Sequence, residues 1–463
     1  MKVEQIYTSC LSQGAYFIES NGEAAVIDPL REISDYLKLA EDTNSKIKYV
    51  FETHFHADFI SGHLTLANKT GAKIVYGPQA DPNFESIIAQ DNQVFKVGAV
   101  TITAIHTPGH TLESTSYVLK DENGKEHCIF TGDTLFLGDV GIPDVAQRYM
   151  GVSKEELAGI LYESVNNRIK PLPDDILVYP GHGAGSACGK NMMKETVDTL
   201  ENQKKINYAL NGSFSKEGFV KELTDNLPEP PTYFPSNVKL NKDGYLDFDK
   251  VLDRGLTPLD LEKFIFLSSQ ENTIILDVRN QNIFKNGFIP GSIFIGLNGG
   301  FAPWVGAVLK DINIKILLVC EEGQAKEAII RLSRVGFDNC LGYLDGGFNT
   351  WKNSSNPIDT IDSTSAKEFE NSINDTTNIL DVRQVGERNN GYLKNSEHIP
   401  LAIIDSDNNS LNKSSKYYIH CAGGYRSMIA CSILKKNGFD NTIDVEGGFG
   451  SISNNTSLEI LQN

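Results

Sequence analysis

Short apolar, β-branched runs alternate with amphipathic stretches along roughly the first 235 residues, and Gly, Asn, Asp or Ser punctuates the joins. That pattern predicts strands over 15–18, 23–27, 47–51, 73–75, 100–105 and 176–178, and helices over 33–41 and 154–165. Segments rich in His and Asp follow directly on predicted strand ends, where loops on a rigid scaffold usually carry function. A Pro-rich segment from Leu227 to Pro235 then breaks the alternation and marks a boundary. The Asn-, Lys- and Asp-rich residues after it read as a linker.

Beyond the linker the chain repeats itself. IILDVR at 274–279 matches NILDVR at 378–383, and FIPG at 288–291 returns loosely as HIPL at 398–401. LLVC at 317–320 matches YIHC at 418–421, GFDN recurs at 336–339 and 438–441, and DGGF at 345–348 matches EGGF at 446–449. Cysteine and glycine pair keep one spacing, 26 residues in both copies (346 − 320 and 447 − 421). Each copy alternates strand and helix, which implies a small parallel sheet flanked by helices. The expected domains are therefore 1–235, a linker over 236–257, and repeat copies over 258–357 and 358–463.

Composition narrows the partners. A formal charge of −18 over 463 residues argues against nucleic acid, which demands clustered Lys and Arg. No apolar run approaches the ~20 residues needed to cross a bilayer, so no membrane association is expected. The N-terminus has no basic region followed by an apolar run, as a secretion signal would. Seven scattered cysteines, an odd number, make no disulfide framework and suit a reducing cytoplasm.

Seven of the nine histidines lie between His54 and His182; His398 and His420 are the others. Three segments can converge on a metal: His54 and His56 after one strand, His110 in HTPGHT (106–111), and Asp133 in TGDT (131–134). Two imidazoles and a carboxylate with open positions form the facial triad of non-haem Fe(II) oxygenases. The same donors also suit zinc, alone or paired. His56, Asp58 and His182 are then candidates to orient ligands or contact substrate, while His63 and His106 read as structural.

These segments resemble the metallo-β-lactamase-fold persulfide dioxygenases, and the order of the whole chain resembles persulfide dioxygenase–rhodanese fusions. The motifs carrying the resemblance are HFHADFISGH (54–63), HTPGHT, GDTLF (132–136) and PGHGAGSACGK (180–190). It implies an α/β architecture: a metallo-β-lactamase αββα sandwich followed by two rhodanese-like parallel α/β domains. It also implies ligands His54, His110 and Asp133 for one Fe(II) per chain, with His56 outside the coordination sphere, and a homo-oligomer. Two-zinc hydrolases of this fold write His-x-His-x-Asp-His, whereas Phe59 stands here at the last histidine. One departure from the family pattern is GIPD at 141–144, where Ile142 replaces an expected arginine. Cys188, six residues beyond His182 in a Gly-rich segment, is a candidate to line the metal pocket and relay sulfur.

The second repeat copy carries CAGGYRS (421–427) between an apolar strand and a helix-like run, closely resembling the rhodanese active-site loop. Backbone N–H groups at a helix N-terminus favour an anion there, so Cys421 is the expected sulfur-carrying nucleophile. Arg426 can fork onto sulfite or thiosulfate oxygens, or brace the loop. The first copy reads CEEGQAK (320–326), with Ala325 in place of arginine and two glutamates where anions should bind. It is expected to be degenerate and mainly structural, Cys320 being raised in pKa by those charges.

The resemblance implies oxidation of a low-molecular-weight thiol persulfide by dioxygen to sulfite plus thiol. Cys421 would then interconvert sulfite and persulfide with thiosulfate and thiol. The rival expectation is a zinc thioester hydrolase similar to glyoxalase II, with a rhodanese sulfur-carrier domain.

Overall fold

The computed structural model describes residues 1–143, 151–225, 227, 230–407 and 411–462. Asp144 of the GIPD motif, and Pro228 and Glu229 of the Pro-rich boundary, lie outside the described residues. The chain divides into two compact units, Met1–Phe248 with Ser333–Gly336, and Asp249–Leu332 with Phe337–Asn463. No helix among the described residues is long and apolar enough to cross a membrane.

The first unit is built on two six-stranded sheets. One runs in the order β1 (Lys2–Thr8), β2 (Gln13–Ser20), β3 (Glu23–Ile27), β4 (Lys46–Phe51), β5 (Lys73–Tyr76) and β6 (Ile87–Ile88). The other holds β7 (Val94–Val97), β8 (Val100–His106), β9 (Thr115–Lys120), β10 (Glu126–Gly132), β11 (Leu177–Pro180) and β12 (Asp198–Thr199), likewise side by side in chain order.

Alternation along the strands explains the layers. Tyr16 and Ile18 of β2 join Ile27, Phe51, Phe95, Ile102, Tyr117 and Phe130 between the sheets. Ala15 and Phe17 point the other way, onto Tyr36 and Ala40 of the helix Ser34–Asp42. On the far side, Ile105, Val118, Ile129 and Val178 pack beneath Leu161 of the helix Lys154–Ser164 and Phe219 of the helix Lys216–Thr224. Both sheets are therefore buried on two faces, giving the αββα sandwich. Ser153 and Glu156 begin the Lys154–Ser164 helix with a capping box.

Strand direction sets where the site can form. β8 and β10 are each antiparallel to β9, and β10 is parallel to β11, so three strands run the same way. The loops following His106, Gly132 and Pro180 thus leave from one edge of the sheet. The stretch 236–257, expected as a linker, is largely helical, with helices Phe234–Asp243 and Phe248–Gly255. Asn241 of the former is buried and donates to the backbone oxygens of His56 (2.7 Å) and Phe59 (2.8 Å). That helix therefore clamps the histidine loop.

The second unit contains two five-stranded sheets whose strand pairs are parallel. In each, a strand one in from an edge ends on an Asp-x-Arg clasp. Arg279 Nε lies 2.9 Å from Asp277 Oδ1, and its Nη2 reaches Gly287 O at 2.9 Å. Arg383 repeats this with Asp381 (3.0 Å) and Gly391 O (2.9 Å). Arg279 and Arg383 also lie over the rings of Phe348 and Phe449 at 4.3 and 3.8 Å. A buried guanidinium is tolerable only when paired and hydrogen-bonded in this way.

Candidate active sites

His54, His110 and Asp133 come together as a buried cluster, each offering a ligand atom within 4.8 Å of the others. His110 Nε2 lies 3.6 Å and His54 Nε2 4.0 Å from Asp133 Oδ2. The opposite ring nitrogens are already engaged. His110 Nδ1 donates to Ile142 O at 2.8 Å. His54 Nδ1 lies 2.9 Å from Thr53 Oγ1, whose own proton goes to Asp28 Oδ2 at 2.8 Å. Both Nε2 atoms are thereby left as lone-pair donors facing the carboxylate, the orientation metal-ligating imidazoles require.

Asp133 completes the arrangement. Its Oδ1 accepts from His182 Nδ1 at 2.8 Å, while its Oδ2 is buried with no hydrogen-bond partner. An orphaned buried carboxylate oxygen is costly unless something fills the position it faces. Burial alone would push the Asp133 carboxyl up, but His182, His54 and His110 together hold it below the usual carboxylate range. Burial and the neighbouring His56 hold His54 well below its ordinary value, hence neutral. Two imidazoles and one carboxylate fit a single divalent cation. A side chain at Gly181 would put its Cβ 2.5 Å from Asp133 Oδ1, which explains the glycine after β11.

Around this cluster the other histidines are withdrawn. His56 Nε2 sits 3.0 Å from Asp28 Oδ1 and 3.5 Å from Glu52 Oε2. Burial opposes protonation there, but the two carboxylates prevail and push His56 up to about 10. Phe59, wholly buried, lies against the His56 ring at 4.3 Å between centroids. His182 uses both nitrogens, Nδ1 on Asp133 and Nε2 on Asp58 Oδ2, each at 2.8 Å. Cys188 is buried beside Asp58 and His182, within the same 4.8 Å limit. His63 lies among Tyr76, Phe84 and Tyr245, where burial drives its pKa down to about 3. His106 Nε2 is engaged with Leu112 O at 2.9 Å. The Ile142 side chain is buried in the apolar cluster under the Lys154–Ser164 helix.

In the second unit, Cys421 follows the strand Tyr417–His420 and precedes the helix Tyr425–Lys436. Gly424 N donates to Cys421 Sγ at 3.0 Å, and Ser427 Oγ lies 3.6 Å from the same sulfur. Gly424 has φ +99°, a conformation that suits glycine and turns its N–H inward. Arg426 interacts with the Cys421 side chain, but its fork is shared with a carboxylate. Its two terminal nitrogens grip Glu387 at 2.5 and 2.7 Å, and its guanidinium carbon lies 5.8 Å from the Trp304 ring centroid. The Glu387 grip braces the loop, and the Cys421 contact keeps the guanidinium beside the sulfur. The first copy supplies more of this wall, since Tyr425 Oη donates to Gly296 O at 2.6 Å.

Cys320 occupies the matching position in the first copy, beside a cavity of about 760 Å³ lined by Glu321, Glu322 and Lys326. Burial, Asp277 and Glu321 push its thiol up to about 11. Where Arg426 has Glu387 as partner, this copy has Ala325 and Ile283, so both halves of the brace are missing together.

Asp28, Thr53 and Glu387 are working parts that the sequence motifs did not expose. Each acts from a strand or helix remote from its partner, or through an inconspicuous neighbour. Only for Glu387 was a signal present: its counterpart changes to Ile283 in the copy that has lost arginine.

Comparison with known proteins places these sites in families. The model of the Metallo-beta-lactamase superfamily matches residues 9–182, and that of the Rhodanese-like domain matches residues 261–354 and 365–455. A hydroxyacylglutathione hydrolase of Dictyostelium discoideum is 35% identical over 231 residues, covering 48% of this chain and 76% of that protein. The mitochondrial persulfide dioxygenase ETHE1 of Homo sapiens is 32% identical over 215 residues, covering 45% of this chain and 74% of the relative. A solved metallo-beta-lactamase structure from Staphylococcus aureus subsp. aureus COL aligns with a TM-score of 0.65 at 30% identity, covering 74% of this chain and 98% of the other. The chain therefore belongs to the metallo-beta-lactamase superfamily, among the homologues of persulfide dioxygenase, and carries two rhodanese-like domains behind that fold.

Proposed function

We propose that the first unit is a mononuclear Fe(II) persulfide dioxygenase and that the second is a sulfurtransferase working through Cys421. The observation that carries the first half is the engagement of His182. Its two nitrogens face Asp133 and Asp58, and Phe59 offers no lone pair, so a second metal would lack the histidine that two-metal hydrolases place there. That separates this reading from two-metal thioester hydrolysis, the activity named for the hydroxyacylglutathione hydrolases of similar identity.

His54, His110 and Asp133 would hold one Fe(II), which would supply open positions for dioxygen and a substrate sulfur. The chain's own contribution is positioning. Ile142 O and the Thr53–Asp28 pair fix the imidazole rings, His182 fixes Asp133, and the apolar Phe59 and Phe136 border the polar cluster. In the overall reaction a thiol persulfide, dioxygen and water give thiol, sulfite and two protons. The terminal sulfur takes three oxygens, two from dioxygen and one from water.

Cys421, loaded as a persulfide, would hand its outer sulfur to sulfite, giving thiosulfate and regenerating the thiol. Joining both sites in one chain raises the local sulfite concentration at the second. Cys188 stands near enough to Asp58 and His182 to border the first site. All seven cysteines are free thiols, as a reducing cytoplasm would keep them.

The test is oxygen uptake by protein purified and loaded with Fe(II) under anaerobic conditions, then given a low-molecular-weight persulfide. Uptake matched by sulfite or thiosulfate supports the reading. Hydrolysis of a glutathione thioester without uptake, in zinc-loaded protein, supports the hydrolase instead.

A further inference from the structure

One buried acid beside the Cys421 loop has no part in the scheme above. Asp444 lies on the strand Thr442–Val445, 4% exposed, and its Oδ1 has no hydrogen-bond partner. Parallel pairing sets Asp444 opposite Ile419, two residues before Cys421. The Ser427 hydroxyl stands between acid and thiol: it hydrogen-bonds the Asp444 carboxyl, donates to Gly424 O at 3.1 Å and lies 3.6 Å from Cys421 Sγ.

The first copy serves as an internal control. There Tyr343 pairs with Leu318, two residues before Cys320, so Tyr343 holds the place of Asp444. Lys326 holds the place of Ser427. Acid and hydroxyl are thus both present in the copy that keeps the loop and both absent from the copy that lost it. A core carboxyl costs several kcal/mol of desolvation when charged and contributes little to packing, so scaffolding alone does not account for it.

We propose that Asp444 is a positioning residue of the Cys421 site, acting through the Ser427 hydroxyl to supply the hydrogen bond that supports negative charge on Sγ when sulfur leaves. This rests on the reading of Cys421 as a sulfur carrier. A charged Asp444 takes the Ser427 proton, whereas in its acid form Asp444 donates to Ser427 Oγ and leaves that proton to Gly424 O or, as charge develops there, to the sulfur. Burial raises the Asp444 carboxyl to about 7, against the Ser427 hydrogen bond and Lys285, so the acid form is available near neutrality. Glu446 pushes the same way as burial. The other titratable or charged neighbours are Cys431 and Arg426 on the helix, His420 and Cys421 at the end of one adjoining strand, and Asp362 on the other.

The test uses the full chain and two readouts, thiosulfate formation from persulfide and sulfite, and the pH profile of Cys421 alkylation followed on its own peptide by mass spectrometry. Asp444→Ala and Ser427→Ala should each slow transfer at least tenfold and raise the alkylation midpoint by about one pH unit, a tenfold change in thiolate at fixed pH. Their combination should cost no more than either alone. Asp444→Asn, which keeps a donor and the shape, should retain most transfer, and it keeps the comparison possible if alanine there impairs folding. An unmoved alkylation midpoint in folded Asp444→Ala, or effects that multiply in the double variant, would overturn the proposal. Absence of sulfur transfer in the unaltered protein would instead sink the carrier reading, while the alkylation profile would still report on Asp444.

Discussion

His182 Nδ1 donates to Asp133 Oδ1 at 2.8 Å, leaving the other carboxylate oxygen facing His54 and His110. Removing such a partner of a ligand typically costs ~10–100-fold in metal affinity. His182→Ala should therefore lose iron to a competing chelator that the unaltered protein resists. His182→Gln, retaining a donor, should fall between the two.

Phe59→His restores the His-x-His-x-Asp-His arrangement. Zinc-loaded variant should hold close to two ions per chain where the parent holds one, as measured by elemental analysis. Because Phe59 is wholly buried, the metal-free variant should also lose about 2 kcal/mol of stability, visible as a lower melting temperature.

The Arg426–Glu387 brace can be dismantled in two ways. Arg426→Ala leaves a half-exposed carboxylate without its partner, whereas Arg426→Ala with Glu387→Ile copies the Ala325 and Ile283 pairing of the first copy. The double variant should be more resistant to denaturant than the single one, by about 1 kcal/mol. Equal midpoints would mean that the brace contributes nothing to stability.

Thiol labelling should separate the two copies. With its thiol pushed up to about 11, Cys320 should resist iodoacetamide at neutral pH in the native protein. Cys320→Ser should leave sulfur transfer intact, and Cys421→Ser should abolish it.

Asp444 also makes a prediction about stability. Burial pushes its carboxyl from the ordinary 3.8 up to about 7, so the folded chain binds the extra proton between those limits. Its contribution is complete below about 4 and is lost as pH rises through 7. Relative to Asp444→Asn, the unaltered protein should lose denaturant resistance between about pH 4 and 7.

The candidate ligands, the paired repeats and the candidate nucleophile were legible because each sits in a short local motif. His54, His110 and Asp133 follow strand ends, and strands betray themselves through alternation and β-branching. What stayed hidden depends on encounters between distant segments. Nothing local says that Asp28 and Glu52 will draw His56 aside, that Asn241 will clamp the loop, or that Glu387 will occupy Arg426. The strands Lys2–Thr8 and Thr115–Lys120 escaped for a related reason. The first is polar and half-buried, and the second opens on Thr and Ser that lie in a hydrogen-bonded layer.

The Asp-x-Arg clasps, unlike the cysteine loops, make the same hydrogen bonds in the two copies. Tolerance follows from that division of labour. A lattice that stays rigid whatever its crown carries lets one half shed its chemistry and survive as masonry. It also leaves the quiescent half a ready host: transplanting 421–427 and 444, with the glutamate at 387, would ask no new foundation of it.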